Sequence, residues 1–165
     1  MRYYGFVGSR DLSQEGLAQV RRAIALIAFG QEQKDPNYPD EDYAEVARNI
    51  TIVSGGARGA DREAEFSALE RGMHVVSYRP REDEKTGLFL IDVWEDGKFS
   101  HQDGRVFSKF ATAALFRNGL IVKSVEELFV FWDGVSTGTL NSKQQAHERG
   151  IPVNVWVQEP ADANA

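Results

Sequence analysis

The chain has 165 residues, a length typical of one domain, and 42% of them are hydrophobic, as in ordinary soluble globular proteins. No run of about 18 uncharged apolar residues occurs, so the sequence predicts no membrane span, and the first residues lack the apolar segment of a signal peptide. The formal net charge of −6 disfavours long nucleic acid as a partner, and the absence of cysteine excludes disulfides and thiolate metal sites and favours a cytoplasmic location.

Along the first half of the chain, segments with the apolar pattern of a strand alternate with segments with the apolar pattern of a helix. Short apolar runs predict strands, and stretches with apolar residues three or four positions apart that end in glycine predict helices. The predicted elements are strands at residues 2–8, 50–54 and 74–78, the last closed by Pro80, and helices at residues 13–30 and 58–71. Residues 31–49 hold two prolines and many acidic residues, so we predict an irregular insertion with a helical turn near 43–48.

The second half continues this alternation after a polar stretch. We predict that residues 81–104 form an irregular insertion apart from a hairpin around Asp96-Gly97, whose arms are residues 88–94 and 98–102. The remaining predicted elements are helices at residues 105–118 and 139–149, strands at residues 127–132 and 152–157, and a flexible tail at residues 158–165. Three phenylalanines on the helix at 105–118 do not fit one core-facing stripe, so a homo-oligomer is a further expectation.

Strands alternating with helices predict an α/β fold, in a Rossmann-like three-layer arrangement with helices on both faces of a mostly parallel sheet of about five strands. We predict a single domain over residues 1–157, because no repeat or linker interrupts it. In such folds, ligands bind at the carboxyl ends of strands, near the point where strand order reverses. Three turns that contain glycine follow predicted strands, so the sequence predicts that they form one site.

The second of these turns, "SGGARGAD" at residues 54–61, carries the strongest signal. Glycines let the backbone approach a ligand closely, and free N–H groups at a helix start together with a guanidinium bind anions. Asp61 could cap the helix or accept a ribose hydroxyl, and the alternative is a tight turn whose glycines only allow packing. The candidate ligand residues here are Ser54, Gly55, Gly56, Arg58, Gly59 and Asp61.

The first and third turns are "GSRD" at residues 8–11 and "DGVSTGT" at residues 133–139. Their hydroxyls and N–H groups suit phosphate or ribose oxygens, whereas the alternatives are an ordinary loop with a surface arginine and a hydroxyl-rich helix cap. The candidate ligand residues are Gly8, Ser9, Arg10, Asp133, Gly134, Ser136, Gly138 and Thr139. The three histidines have no paired spacing, so we predict no metal site, and we predict no cofactor.

Taken in order, the motifs "GSR", "VSGGARGAD", "RN", "FWDGVSTGT" and "GIPV" resemble the pattern of the SLOG superfamily, named for the Smf/DprA and LOG proteins. Among its branches, the chain is most similar to the small YspA/YpsA-related members of bacteria and phages. The resemblance covers the chain apart from residues 31–49 and 81–104. It implies a Rossmann-like fold that binds nucleotides or their derivatives at the three turns.

The resemblance also bears on Arg117 and Asn118, which by local pattern we predict only as the end of the helix at 105–118. Related phosphoribohydrolases have a functional arginine at the position of Arg117, so the resemblance implies that Arg117 and Asn118 belong to the site.

The chain departs from the LOG-type phosphoribohydrolases in the third turn. Their "PGGxGTxxE" motif ends in a glutamate, but when Gly138 and Thr139 are aligned with its Gly-Thr, Ser142 takes that place and no "PGG" precedes it. A serine cannot replace a carboxylate in acid–base chemistry. The leading hypothesis is therefore a module that binds or senses a nucleotide-derived small molecule.

The alternative is an enzyme that cleaves or transfers an N-glycosidic bond of a nucleotide, with Arg117, Asp61 and Asp133 as candidate catalytic residues. A third hypothesis, handling of single-stranded DNA, is disfavoured by the acidic balance and by the lack of a basic groove with interleaved aromatic residues.

Overall fold

The computed structural model describes residues 1–29 and 40–159. Strands and helices alternate along these residues, with one hairpin in the middle. In chain order, the elements are β1 Arg2–Gly8, α1 Gln14–Phe29, α2 Asp40–Arg48, β2 Ile50–Ser54, α3 Ala60–Glu70, β3 His74–Glu82, β4 Phe89–Glu95, β5 Lys98–Phe107, α4 Phe110–Ser124, β6 Glu127–Trp132, α5 Thr137–Glu148 and β7 Val153–Val157.

The strands form one sheet in the order β5-β4-β3-β2-β1-β6-β7. The five strands from β3 to β7 in this order are parallel, and β4 and β5 are antiparallel additions at one edge. Helices α1 and α3 contact each other on one face, and α4 and α5 do so on the other. The predicted α/β, Rossmann-like three-layer fold is therefore confirmed, with two strands more than expected.

Strand order reverses beside β1, and this reversal positions the site. From β1 the chain moves through β2 to β3 and then returns across the sheet to place β6 on the other side of β1. The chain after β1 therefore leads to α1 on one face of the sheet, and the chain after β6 leads to α5 on the other face. This divergence leaves a crevice at the carboxyl ends of β1 and β6.

Burial on both faces explains why β1 and β2 are almost continuously apolar. Successive side chains of a strand point to opposite faces, so Phe6 packs with Ile24 of α1 on one side while Val7 packs with Ile121 of α4 on the other. Each side chain is 5% exposed or less. The core is thus two apolar layers separated by the sheet.

Residues 81–104 correct the predicted irregular insertion. The hairpin around Asp96-Gly97 is confirmed, but its arms are regular strands that extend the sheet, and β3 runs through Pro80 to Glu82. Pro80 is tolerated because β3 pairs with β2 only as far as Ser77, so the missing N–H lies where β3 has a single neighbouring strand.

The helix predicted at residues 105–118 begins and ends later than expected. Residues 105–107 belong to β5, and α4 continues past Gly119 because this glycine lies against the side chain of Gln145 on α5. Arg117 and Asn118 are therefore inside the helix and not at its end. Phe107 packs on Phe116 within the same chain, which weakens the sequence argument for self-association.

Two other boundaries differ from the prediction. The helical turn expected near 43–48 is the longer helix α2, and residues 31–39 lie outside the described residues. The predicted tail begins too early, because the Gln158 backbone N–H donates to the carbonyl of Trp132 (2.8 Å) and its side chain accepts the N–H of Ser13 (2.7 Å). Residues 160–165 of that tail are outside the described part.

Gly8, at the end of β1, provides a test of this packing. A Cβ atom at Gly8 would lie 2.5 Å from both the carbonyl oxygen of Phe131 and the Cβ of Ala60, which strand pairing and helix packing hold in place. We expect Gly8→Ala to lower the free energy of unfolding by about 1–3 kcal/mol in urea denaturation. The control is Gly104→Ala, where nothing lies within 4 Å. Similar losses in the two variants would contradict this account.

Candidate functional site

A cavity of about 910 Å³ lies at the strand-order reversal, between the ends of β1 and β6, helix α4 from Phe110 to Ile121, and the first two turns of α5. Its volume is in the range of small-molecule sites. It brings together all three regions that the sequence singled out. The predicted site residues that border it are Gly8, Ser9, Arg10, Asp61, Arg117, Asn118, Asp133, Ser136, Gly138 and Thr139.

Hydroxyl groups join the first turn to the third. The buried Ser9 Oγ lies 2.8 Å from the Ser136 Oγ and accepts the backbone N–H of Asp133 (2.9 Å). Asp133 Oδ1 accepts the N–H groups of Val135 (2.9 Å) and Ser136 (2.8 Å). The two turns are consequently one hydrogen-bonded unit at the floor of the crevice.

The carboxylate of Asp133 is held by backbone N–H groups of the third turn. Burial acts to raise the pKa of Asp133, but the hydrogen bonds from the Ser136 and Val135 N–H groups lower it below the ordinary value. A carboxylate held ionised by backbone donors is poorly suited to deliver a proton. The geometry therefore disfavours Asp133 as a catalytic acid.

The start of α5 presents free backbone donors to the cavity. The N–H of Leu140 is the first to reach back to the carbonyl of Ser136 (3.4 Å), and the Ser136 side chain caps none of the preceding N–H groups. The N–H groups of Thr137, Gly138 and Thr139 therefore have no acceptor among residues 1–29 and 40–159, and all three residues border the cavity. Such donors at the positive end of a helix dipole form an anion site.

Arg117 reaches the cavity from the middle of α4. Its Nη1 donates to the carbonyls of Gly55 (2.6 Å) and Tyr78 (3.4 Å), and its Nε donates to the Asn118 side chain (3.0 Å). Asn118 in turn donates to the carbonyl of Gly138 (3.3 Å) at the start of α5. The guanidinium orientation is thus set from three sides, while Nη2 has no acceptor within the described ranges.

Arg10 adds a second guanidinium to the same cavity. Both arginines border the cavity. Burial lowers the pKa of Arg117, the carboxylate of Asp61 acts against that shift, and the positive charge of Arg10 adds to it. Arg10 is exposed and has no ion pair with any residue that the structure describes. The two guanidiniums thus border the same cavity as the free N–H groups at the start of α5.

Asp61 is the acidic group of this cluster and is only 5% exposed. Its Oδ2 accepts the N–H groups of Gly55 (3.1 Å) and Ala57 (3.3 Å), so it braces the second turn and does not cap α3. Desolvation raises the pKa of Asp61 to about 6; Arg117 opposes this shift and Glu65 adds to it. Asp61 is therefore a carboxyl group that can exchange a proton near neutral pH.

The glycines of the second turn lie behind the cavity, in line with the packing alternative. A Cβ at Gly55 would overlap Nη1 of Arg117, and one at Gly59, where φ is 86°, would overlap the carbonyl of Ser9. Ser54 is fully buried and donates to Glu65, which pairs with Arg79 (2.9 Å). The predicted ligand residues that do not border the cavity are Ser54, Gly55, Gly56, Arg58, Gly59 and Gly134.

Arg58 is the one charged residue among these predicted ligand residues that do not border the cavity. Its side chain is exposed and pairs at 3.1 Å with Asp11, which borders the cavity, but Arg58 itself does not border it. The guanidiniums beside the cavity are those of Arg10 and Arg117. Of the three arginines predicted as site residues, Arg10 and Arg117 therefore border the cavity and Arg58 does not.

Sequence patterns missed one wall of the site. The first half of α4 lines the cavity with apolar side chains, and Leu115 is 49% exposed there. The signal was present, since α4 has no charged residue before Arg117 although much of this stretch is exposed. The wall residues are Phe110, Ala111, Ala114 and Leu115, and Asn141 and Gln144 of α5 were also missed.

The sequence matches no established protein-family profile and no curated protein sequence. Solved structures share its fold. DNA processing protein A (DprA) from Streptococcus pneumoniae is 19% identical, with a TM-score of 0.63 over 98% of this chain and 52% of that one. DprA from Helicobacter pylori, whose structure describes a single-stranded DNA binding mode, is 18% identical, with a TM-score of 0.60 over 98% of this chain and 67% of that one.

The molybdenum cofactor binding protein from Rippkaea orientalis is 15% identical, with a TM-score of 0.61 over 96% of this chain and 77% of that one. Likeness at these identities concerns the fold, and the chain spans about half the length of the pneumococcal DprA, 52%. What this chain shares with DprA is therefore the fold. No helix within the described ranges is long and apolar enough to cross a bilayer.

The raised pKa of Asp61 predicts a pH-dependent stability. Its folded-state value of about 6 lies above the ordinary 3.8, so the group stabilises the fold below about pH 4, and this contribution is lost as pH rises through about 6. Asp61→Asn removes the titration. From about pH 4 to 7, we expect its free energy of unfolding to rise relative to the unmodified protein, by up to about 3 kcal/mol.

Urea denaturation at a series of pH values measures this difference. Glu70→Gln, an exposed acid at the end of α3, is the control and should follow the unmodified protein at every pH. A constant offset for Asp61→Asn across the range would show that Asp61 titrates normally.

Proposed function

We propose that the chain binds a nucleotide or a nucleotide-derived small molecule, as a sensor or sequestering module. The observation that carries this proposal is the meeting of two guanidiniums, those of Arg10 and Arg117, with the unpaired N–H groups at the start of α5. Backbone donors at a helix start and forked guanidinium donors both suit a phosphate group.

The rest of the cavity favours a ligand larger than phosphate. A volume of about 910 Å³ leaves room for a sugar and a base beyond the α5 start. Asp61 is an acceptor for ribose hydroxyls, and the α4 wall with Phe110 and Leu115 suits the apolar face of a base. On the motifs of the three turns, we also propose membership of the YspA/YpsA-related branch.

Binding is favoured over catalysis because α5 offers no carboxylate to the cavity. Ser142, at the position of the LOG glutamate, is 1% exposed and donates to the carbonyl of Gly138 (3.4 Å). Asp133 is held by backbone donors. A cytoplasmic location and a homo-oligomer stay predictions, resting on the absence of cysteine and on the exposed α4 face.

Arg10 provides the direct test. We expect Arg10→Ala to weaken binding of AMP, ATP or ADP-ribose at least about tenfold in calorimetric titrations, because a charge-assisted hydrogen bond is lost. Arg149→Ala is the matched control, since it removes an exposed arginine at the end of α5 that does not border the cavity. Equal affinities in the two variants would place the phosphate elsewhere, and no binding by the unmodified protein would overturn the proposal.

The second candidate function is cleavage or transfer at an N-glycosidic bond of a nucleotide. Asp61 favours it, because a carboxyl with a pKa of about 6 that borders the cavity beside Arg117 has the properties of a general acid–base group. We expect Asp61→Asn to reduce release of free base by about 10²- to 10⁴-fold if this reaction occurs. Chromatography of nucleotides incubated with the protein measures it, and intact nucleotides with the unmodified protein would eliminate this function.

The Helicobacter pylori DprA likeness weighs against our expectation that nucleic acid is disfavoured, although at 18% identity it concerns the fold. The net charge of −6 and the α4 wall, which contributes Arg117 as its single charge to the cavity, still favour a small ligand. A single-stranded oligonucleotide in the same titrations separates the two, because it would bind more tightly than mononucleotides if the groove tracked a backbone.

A further inference from the structure

The two oxygens of the Asp61 carboxylate have different surroundings. Oδ2 accepts two backbone N–H groups of the second turn, those of Gly55 and Ala57. Oδ1 accepts no hydrogen bond from a described residue, yet no buried polar side-chain atom in the described part is without a partner, so Oδ1 keeps contact with solvent. The solvent that Asp61 borders is that of the cavity.

A bound anion would change these surroundings in three ways. It would displace water from the last open oxygen of a side chain that is already 5% exposed. It would add negative charge beside the carboxylate, and it would share the guanidinium of Arg117 that now offsets the Asp61 charge. Each change disfavours the ionised carboxylate and favours the neutral acid.

We propose that Asp61 recognises the anionic ligand as a neutral carboxylic acid, with Oδ1 carrying a proton and donating it in a hydrogen bond to a ligand oxygen. Binding then takes up a proton from solution. The proposal rests on the proposed function, since it requires an anion in the cavity. It assigns to Asp61 a role in selecting ligands that present an acceptor oxygen beside the Arg117 guanidinium.

The other charged groups around Asp61 are consistent with this assignment. Glu65, one turn further along α3, also disfavours ionisation of Asp61, and the pKa of Asp61 is about 6 before any ligand binds. A further rise of the Asp61 pKa on ligand binding would therefore add a proton to this carboxyl near neutral pH. The charged groups that face Asp61 or share its cavity are Glu65 of α3, Arg117 of α4, Arg10 and Asp11 of the loop after β1, and Asp133 of the loop after β6.

The test uses ADP-ribose, whose pyrophosphate keeps its charge between about pH 5.5 and 8.5, so any titration belongs to the protein. Calorimetry in buffers of different ionisation enthalpy counts the protons taken up. We expect uptake of nearly one proton per ligand at about pH 7, and an affinity that falls by up to about tenfold per pH unit between about pH 6.5 and 8.

Asp61→Asn should abolish the uptake, whereas Glu70→Gln should keep it. Because Asp61→Asn also alters the second turn, the Asp61 side-chain carboxyl ¹³C resonance of the unmodified protein is followed as well. We expect its titration midpoint to rise by more than about two pH units when ADP-ribose binds, since a smaller rise would not give uptake of nearly one proton at about pH 7.

The outcomes separate the two proposals. ADP-ribose binding without proton uptake, or with an unchanged Asp61 midpoint, would overturn the role of Asp61 and leave nucleotide binding intact. Absence of ADP-ribose binding across the whole pH range would overturn both.

Discussion

The desolvated guanidinium of Arg117 is the constraint around which the site is arranged. A buried arginine does not lose its charge, so the protein must supply acceptors and a counter-charge. The carbonyl of Gly55 at 2.6 Å and the side chain of Asn118 are acceptors, and Asp61 is the counter-charge. These contacts bring α4 onto the turn between β2 and α3, although the residues are about sixty positions apart in the chain.

This requirement explains the glycines of the second turn. Gly55 has no side chain because Arg117 occupies the space where a Cβ would be, and Gly59 has none because the carbonyl of Ser9 approaches it. The glycines themselves do not border the cavity, and their lack of a side chain allows the Arg117 guanidinium and the first turn to approach. A motif that looks like a phosphate loop is here a support for groups that come from other elements.

The two candidate catalytic acids, Asp61 and Asp133, differ in the direction of their pKa shifts. Asp133 accepts backbone N–H groups and is only partly buried, so its ionised form is stabilised, whereas Asp61 is nearly enclosed and desolvation dominates. Two aspartates that border one cavity thus differ in protonation behaviour because of their surroundings, not their chemistry. Of these two aspartates, Asp61 is the one whose pKa is raised toward neutral pH.

Local patterns in the sequence were enough to predict the strands of the parallel sheet, the hairpin around Asp96-Gly97 and the edge at which the turns meet, because periodicity and turn residues act over a few positions. The same patterns misplaced α4 and left Arg117 at a helix end, since Gly119 signals a stop unless a neighbouring helix packs against it. They also included Arg58, together with Arg10, among the candidate ligand residues, but the structure places Arg58 outside the cavity, where it pairs with Asp11.

What the sequence by itself determined is the order of elements and the three turns at the carboxyl edge. Only the tertiary structure decided which side chains face the cavity, because that depends on contacts between residues far apart in the chain: Arg117 with Gly55, and Ser9 with Asp133 and Ser136. The altered protonation of Asp61 belongs to the same class, since burial and neighbouring charge are properties of the packed molecule and not of any segment.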